Sequence, residues 1–161
     1  MRRAIYVGDQ DRVTFESILA DVVERFAWSL ESFTLMTTHY HLQLTTADAN
    51  LASGMQRLNG LYASYFNREH GSEGHLFFRR YHSELIEFES HYLEVCRYIA
   101  LNPVRAGLCR RPGDWPWSTY AQVIGRGLRR PYVATASLLR HFGPDEDLAR
   151  SRLQAFVEQA A

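Results

Sequence analysis

The stretch Trp28-Ser29-Leu30-Glu31-Ser32-Phe33-Thr34-Leu35-Met36-Thr37-Thr38-His39-Tyr40-His41-Leu42-Gln43-Leu44-Thr45 decides the fold. Its first eight residues carry aromatic and β-branched side chains that suit a pleated, half-buried surface, and they predict a strand over 28–35. Met36-Thr37-Thr38 is a short connection, and residues 39–45 return as the second strand of a hairpin. Side chains on a strand alternate faces, so His39 and His41 point one way with Gln43, while Tyr40, Leu42 and Leu44 form the opposite, apolar face. Two imidazoles about 7 Å apart along one face can both reach one divalent ion. Seven histidines scattered through a chain of this length give about 0.3 such pairs by chance, so two ordinary strand histidines stand as the alternative at this point.

Outward from the hairpin, the N-terminal side predicts a helix. Asp9 or Asp11 can cap it, and Phe15, Ile18, Leu19, Val22, Val23 and Phe26 recur at helical spacing. On the other side, residues 46–49 form a polar loop. A second helix is expected over 50–67, with Leu51, Met55, Leu58, Tyr62 and Tyr65 along one side. His70-Gly71-Ser72-Glu73-Gly74 breaks it. Residues 80–88 predict a further strand. Ser90 can cap a third helix running to residue 101, with Pro103 limiting its continuation. Past Leu108 the chain reads as irregular, with a short helix near 135–141 and a last one over 145–159. The order helix, strand, strand, helix, strand, helix predicts an α+β sandwich with an antiparallel sheet.

Length and composition are compatible with this. A chain of 161 residues fits one domain, and 46% hydrophobic residues suffice for a core. No apolar run approaches the ~18 residues a membrane span needs. The basic tip Arg2-Arg3 is followed by Asp9 and Asp11 rather than an apolar stretch, so no secretion signal is expected. Cys96 and Cys109 show no CxxC spacing, which points to a reducing cytoplasm and away from a disulfide framework. The net charge of zero hides a split. Residues 97–130 hold seven arginines (Arg97, Arg105, Arg110, Arg111, Arg126, Arg129, Arg130) against one acid, Asp114. All eighteen basic residues are arginine, whose planar fork suits phosphate, although codon bias gives the same composition.

Tyr98-Ile99-Ala100-Leu101-Asn102 is the second chemical pattern. On a helix, residues four apart share a face, so Tyr98 and Asn102 stand side by side. A carboxamide oxygen can serve as a third ligand for Mg²⁺ or Mn²⁺. The plainer reading is a half-buried tyrosine and an asparagine that ends the helix before Pro103. Taken together, the two patterns describe one reaction. A phosphodiester is anionic and resists attack, so a metal is useful to offset its charge. A deprotonated phenol is a competent nucleophile. Its attack on phosphorus yields a phosphotyrosine and a free 3′ hydroxyl, and the step can reverse to rejoin strands.

The run Arg97-Tyr98-Ile99-Ala100-Leu101-Asn102-Pro103-Val104-Arg105-Ala106-Gly107-Leu108 resembles the RYIxLNPVRAGL signature of the REP-associated tyrosine transposases, a family of single-tyrosine HUH transposases. Gly54-Met55-Gln56-Arg57-Leu58-Asn59-Gly60, Tyr65-Phe66-Asn67 and Gly74-His75-Leu76-Phe77 are similar to that family's helix and following loop, and Asp114-Trp115-Pro116-Trp117-Ser118-Thr119-Tyr120 to its D-[YW]-P-W-S-S-Y segment. The likeness covers about residues 2–125 and implies a transposase domain over 1–125 followed by a helical extension over 126–161. It implies the ferredoxin-like sandwich of HUH nucleases. It implies Tyr98 as nucleophile, His39 and His41 as metal ligands, and Asn102 as a further ligand, with Mg²⁺ or Mn²⁺ as the cofactor. The implied partner is single-stranded or hairpin DNA, touched by Arg79, Arg80, Arg97 and Arg105 and stacked on by Phe77 and Phe78. For those aromatics, ordinary packing is the plainer role.

The sequence departs from the family pattern in three places. The family opens with a strand of the type YHVxxRGN, whereas this sequence begins at or just past that point. A sheet short of its first strand, with two exposed edges, is therefore expected, and either a late-assigned start or a decayed copy explains it. Thr37-Thr38 stands where the pattern has Pro-Asn, and Phe78-Arg79 where it has a Gln and a small residue. A DNA-binding module without catalysis and a structural zinc protein built from histidines and Cys96 or Cys109 are the competing readings. Monomer and homodimer both stay open.

Overall fold

The computed structural model describes residues 3–159. The elements run α1 (Asp9–Arg25), β1 (Trp28–Leu35), β2 (Tyr40–Thr46), α2 (Leu51–Glu69), α3 (Glu89–Arg105), α4 (Tyr120–Val123), α5 (Thr135–Leu139) and α6 (Glu146–Glu158), with 3₁₀ turns at Pro112–Asp114 and Arg140–Phe142. The class is α+β. Among the described residues β1 and β2 form one two-stranded antiparallel sheet packed with helices, an incomplete form of the ferredoxin-like arrangement. The chain divides into two compact units, one of residues 3–28, 37–39 and 46–85, the other of residues 29–36, 40–45 and 86–159.

In the first unit, α1 packs on α2. Phe15, Leu19 and Val22 face Met55, Leu58, Tyr62 and Phe66 in a core that excludes water. Tyr62 is the centre of it: its ring meets Phe15 edge-on at 5.0 Å, and its hydroxyl donates to the Ile5 carbonyl at 2.5 Å. Asp11 secures the start of α1. One carboxylate oxygen accepts the backbone N–H groups of Val7 and Gly8, and the other faces His70 Nε2 at 2.9 Å and the Tyr65 hydroxyl at 3.2 Å. Burial works to raise the Asp11 pKa, but these hydrogen bonds outweigh it and hold the carboxyl below its ordinary value. At the end of α1, Ala27 turns the chain with φ 51°. Asn50, just before α2, then ties the junction by accepting from Trp28 Nε1 at 2.8 Å and donating to the Phe26 carbonyl at 3.0 Å. Trp28 lies flat on α2, which only a glycine permits: a Cβ at Gly54 would come within 2.1 Å of Trp28 Cζ2.

In the second unit, the edge of β1 away from β2 is covered by later chain. Leu35 N donates to Trp117 O, Thr119 N to Phe33 O and Ala134 N to Leu30 O. Isolated bridges pair Thr34 with Ser118 and Leu30 with Val133. α3 contributes Cys96, Ala100 and Leu101 to a core shared with Tyr120, Val123, Leu138, Leu139, Ala149, Leu153 and Val157. The Asp145 side chain caps α6 by accepting from Leu148 N at 2.8 Å.

Three expectations are corrected. Residues 80–88 form no strand. A strand must pair its backbone groups with a neighbouring strand, and among the described residues the sheet is β1 with β2; Leu85 and Phe88 stand exposed in this segment. α3 starts at Glu89 after Phe88 rather than under a Ser90 cap, and it runs past residue 101 to Arg105. Pro103 sits inside it, buried, and costs the Ile99 carbonyl its N–H partner without stopping the helix. The end comes at Gly107, whose φ of 70° and N–H bond to Val104 O make a left-handed terminus. Finally, β2 begins at Tyr40, so His39 lies just ahead of the strand and strict alternation holds only from Tyr40 onward.

Candidate functional site

β2 and α3 build the site within the second unit. The face of β2 that carries His41 and Gln43 meets α3 at two points. Gln43 is buried, accepts from Ser32 Oγ at 2.9 Å and donates through Nε2 to the Tyr92 carbonyl at 3.1 Å. That bond locks the first part of α3 to the strand. Further along, the helix presents Tyr98 and Asn102 to His41. The His41 and Tyr98 rings meet edge-on with centroids 5.3 Å apart and an interplanar angle of 83°. Asn102 Nδ2 lies 3.4 Å from His41 Nε2. Tyr98 is 46% exposed, so its phenol is open to a bulky polyanion, while Ile99, Ala100 and Leu101 behind it are buried and hold the helix in place. The i, i+4 face that carries Tyr98 and Asn102 is therefore the outward edge of a helix whose other side is core.

His39 precedes β2 and is partly buried, with Nδ1 3.1 Å from Thr38 Oγ1. Chain length alone keeps it within about 7 Å of His41 along the backbone. Gln43, read from sequence only as sharing the histidine face, is the residue whose importance the sequence understates. Its side chain is a link between sheet and helix, and a glutamine between two leucines was the signal available.

A metal fits this donor set. Two neighbouring ligands each about 2.1 Å from an octahedral Mg²⁺ ion lie about 3.0 Å apart. His41 Nε2 and Asn102 Nδ2 lie 3.4 Å apart, so a shift of about 0.4 Å, with the amide oxygen and nitrogen exchanging places by a flip, would let both reach one ion. Among the described residues no three His, Cys, Asp or Glu side chains converge. A structural zinc gains no support from it. Cys96 is buried in the apolar core, where burial pushes its thiol up to about 12, so it is a poor source of thiolate.

The expected DNA contacts fall into two groups. In the first unit Phe78, Arg79 and Arg80 are exposed, whereas Phe77 is half-buried with its ring 6.4 Å from that of Tyr62. In the second unit Arg105 is exposed at the end of α3. Arg97 is engaged within the protein: its guanidinium pairs with Glu94 at 2.5 Å and lies over the Phe156 ring at 4.6 Å.

No helix among the described residues is long and apolar enough to cross a membrane. No curated protein and no solved structure shows significant similarity to the chain. A family model described as "Transposase IS200 like" matches residues 1–102, a span that ends on Asn102 and contains His39, His41 and Tyr98. With well over half of its length matched by that model, the chain belongs to the IS200-like transposase family.

Proposed function

We propose that this DNA-acting transposase cuts and rejoins single-stranded DNA through Tyr98, beside a hairpin of a repeated element, with a Mg²⁺ or Mn²⁺ ion held by His39, His41 and Asn102. The observation that carries the reading is the placement of Tyr98 and Asn102, one turn apart on α3, against His41 of β2. The signature run over residues 97–108 and the segment over 114–120 support the REP-associated subtype. In this organisation residues 1–125 are the transposase domain and 126–161 a helical extension, whose α5 and α6 share a core with α3.

The phenol oxygen of Tyr98 attacks phosphorus, an O–P bond forms, and the bond from phosphorus to the 3′ oxygen breaks. The phenol proton leaves to a base and the departing 3′ oxygen takes up a proton. When bound, the divalent ion offsets negative charge on the phosphate. The protein's own part is positional. α3 fixes the phenol, Gln43 fixes α3, and the exposed arginines draw the polyanion in. The 5′ phosphotyrosine keeps the energy of the cut bond, so a 3′ hydroxyl can reverse the step.

A labelled single-stranded hairpin incubated with Mn²⁺ should yield a covalent adduct on a denaturing gel. Tyr98→Phe should lose the adduct while binding DNA nearly as before. His39→Ala and His41→Ala should each reduce it, and EDTA should abolish it. Equal capture by Tyr98→Phe refutes the nucleophile, and full activity in EDTA refutes the metal. A second reading, a DNA-binding module without catalysis, is favoured by the two-stranded sheet found among the described residues. Salt-sensitive binding with no adduct in Mn²⁺ would select it.

A further inference from the structure

The basic stretch noted in the sequence divides, in the structure, into arginines that are already engaged and arginines that are not. Arg97 is held by Glu94 and Phe156. Arg130 is buried, with its guanidinium on the carbonyls of Pro116 and Ser118 and over the Phe33 ring. By contrast Arg110, Arg111, Arg126 and Arg129 are exposed. Arg97 pairs with Glu94 and Arg150 with Glu146.

Residues 125–129 form a loop closed at its base. Gln122 accepts from Arg130 N at 2.8 Å and donates to Arg130 O and to Thr135 Oγ1. Arg126 N donates to Ala121 O at 2.7 Å. Gly125 and Gly127 take φ of 81° and 74°, and a Cβ at Gly127 would come within 3.1 Å of Ala121 Cβ. The backbone is thus set, and Arg126, Leu128 and Arg129 project from it. The second pair precedes the 3₁₀ turn Pro112–Asp114, which packs against α4. A Cβ at Gly113 would lie 3.9 Å from Ile124 Cδ1. Arg111 is two residues before that contact and Arg126 two residues after it, so their Cα atoms lie within about 25 Å. At a rise of about 3.4 Å per nucleotide, that limit corresponds to at most about seven nucleotides of one strand. Glu146 is paired with Arg150, Glu158 accepts from Tyr120 and Gln154, and Asp114 is the one acid within the stretch 97–130.

We propose that the loop 125–129, with Arg110 and Arg111, is a phosphate-binding surface for the DNA strand, lying beyond the segment matched by the family model. This rests on the function proposed above and assigns the strand a track outside the Tyr98 site. A fixed loop bearing two uncommitted guanidinium groups binds phosphate oxygens without first breaking internal ion pairs or ordering the chain.

The test is fluorescence anisotropy with a labelled single-stranded hairpin oligonucleotide in EDTA, across a series of salt concentrations. The adduct assay in Mn²⁺ runs alongside. The double variant Arg126→Gln/Arg129→Gln should flatten the slope of log K against log salt by about 1.4, so its binding defect grows about 25-fold for each tenfold dilution of salt. Arg110→Gln/Arg111→Gln should flatten it similarly. Arg68→Gln/Arg140→Gln removes the same charge from exposed arginines elsewhere and should keep the wild-type slope. Thermal melts matching wild type confirm that the variants are folded. A wild-type slope in both the 126/129 and the 110/111 variants overturns the proposal, as does an equal flattening in the 68/140 control. If those variants fail while wild type still captures DNA covalently, only the loop surface is lost. If wild type neither binds nor captures DNA, the functional reading falls and the surface with it.

Discussion

Gln43→Leu tests the link between sheet and helix most directly. The substitution keeps the volume roughly constant but deletes an acceptor for Ser32 Oγ and a donor to the Tyr92 carbonyl. Ser32 is buried and would keep its hydroxyl without that partner. Leaving a buried polar group unsatisfied costs about 1–3 kcal/mol. The Tyr92 carbonyl sits in the first turn of α3 and can still accept within the helix, so its loss is placed at about 1 kcal/mol or less. The sum is about 1–4 kcal/mol, which for a chain of this size lowers the Tm by about 2–16 °C. Leucine restores some apolar burial, so the lower half of that range is expected. The effect on chemistry is separate. If Gln43 sets where α3 lies over His41, a shift of about 1 Å at Tyr98 slows covalent capture on the order of 100-fold. Urea unfolding measures the first effect. Single-turnover adduct formation, well below the lowered Tm, measures the second. A variant that is destabilised as expected but captures DNA at the wild-type rate would show that Gln43 merely fills the core. A variant with unchanged stability would refute the hydrogen-bond accounting itself.

Two further outcomes follow from the buried chemistry. Glu31 is buried, accepts from Ser29 Oγ and Thr45 Oγ1, and leaves Oε2 without a hydrogen-bond partner; burial raises its pKa above the ordinary 4.5 against the opposing pull of those bonds and of His141. A carboxyl with a raised folded-state pKa contributes its full stability below pH 4.5 and loses it as pH rises through the folded value. Glu31→Gln should therefore match wild type in denaturant melts below pH 4.5 and exceed it by about 1–3 kcal/mol at neutral pH; equal stability at neutral pH would refute the reasoning. Gly54→Ala places a Cβ 2.1 Å from Trp28 Cζ2, and since the indole is held by Asn50 it should cost about 1–3 kcal/mol and shift Trp28 fluorescence. An unperturbed melt would mean that the indole moves freely.

Much of this fold is local and therefore readable in order along the chain. The β1 span over 28–35 needed only its own residue types. The spacing of Phe15, Leu19 and Val22 in α1, and of Met55, Leu58 and Tyr62 in α2, reports a buried stripe because 3.6-residue periodicity is itself a consequence of burial. The chemistry of the candidate site was legible in the same way: an imidazole pair flanking Tyr40, and a tyrosine four residues from an asparagine. What failed were features that depend on distant partners. Residues 80–88 have strand-like composition, but a strand exists only where another lies beside it. Pro103 signals a helix end locally, yet the packing of Leu101 and Pro103 in the core carries α3 to Arg105.

By itself, the sequence determined the first four elements in order, the amphipathic faces and the residue types available for phosphodiester chemistry, because each follows from the local geometry of one helix or strand. Only the tertiary structure decided that Tyr98 and Asn102 meet His41, that Gln43 joins the buried Ile99, Ala100 and Leu101 in holding α3 there, and that Arg97 and Arg130 are engaged within the protein while Arg126 and Arg129 stand exposed. Those outcomes turn on which side chains become neighbours across dozens of residues, and burial and hydrogen-bond satisfaction settle that for the folded chain as a whole.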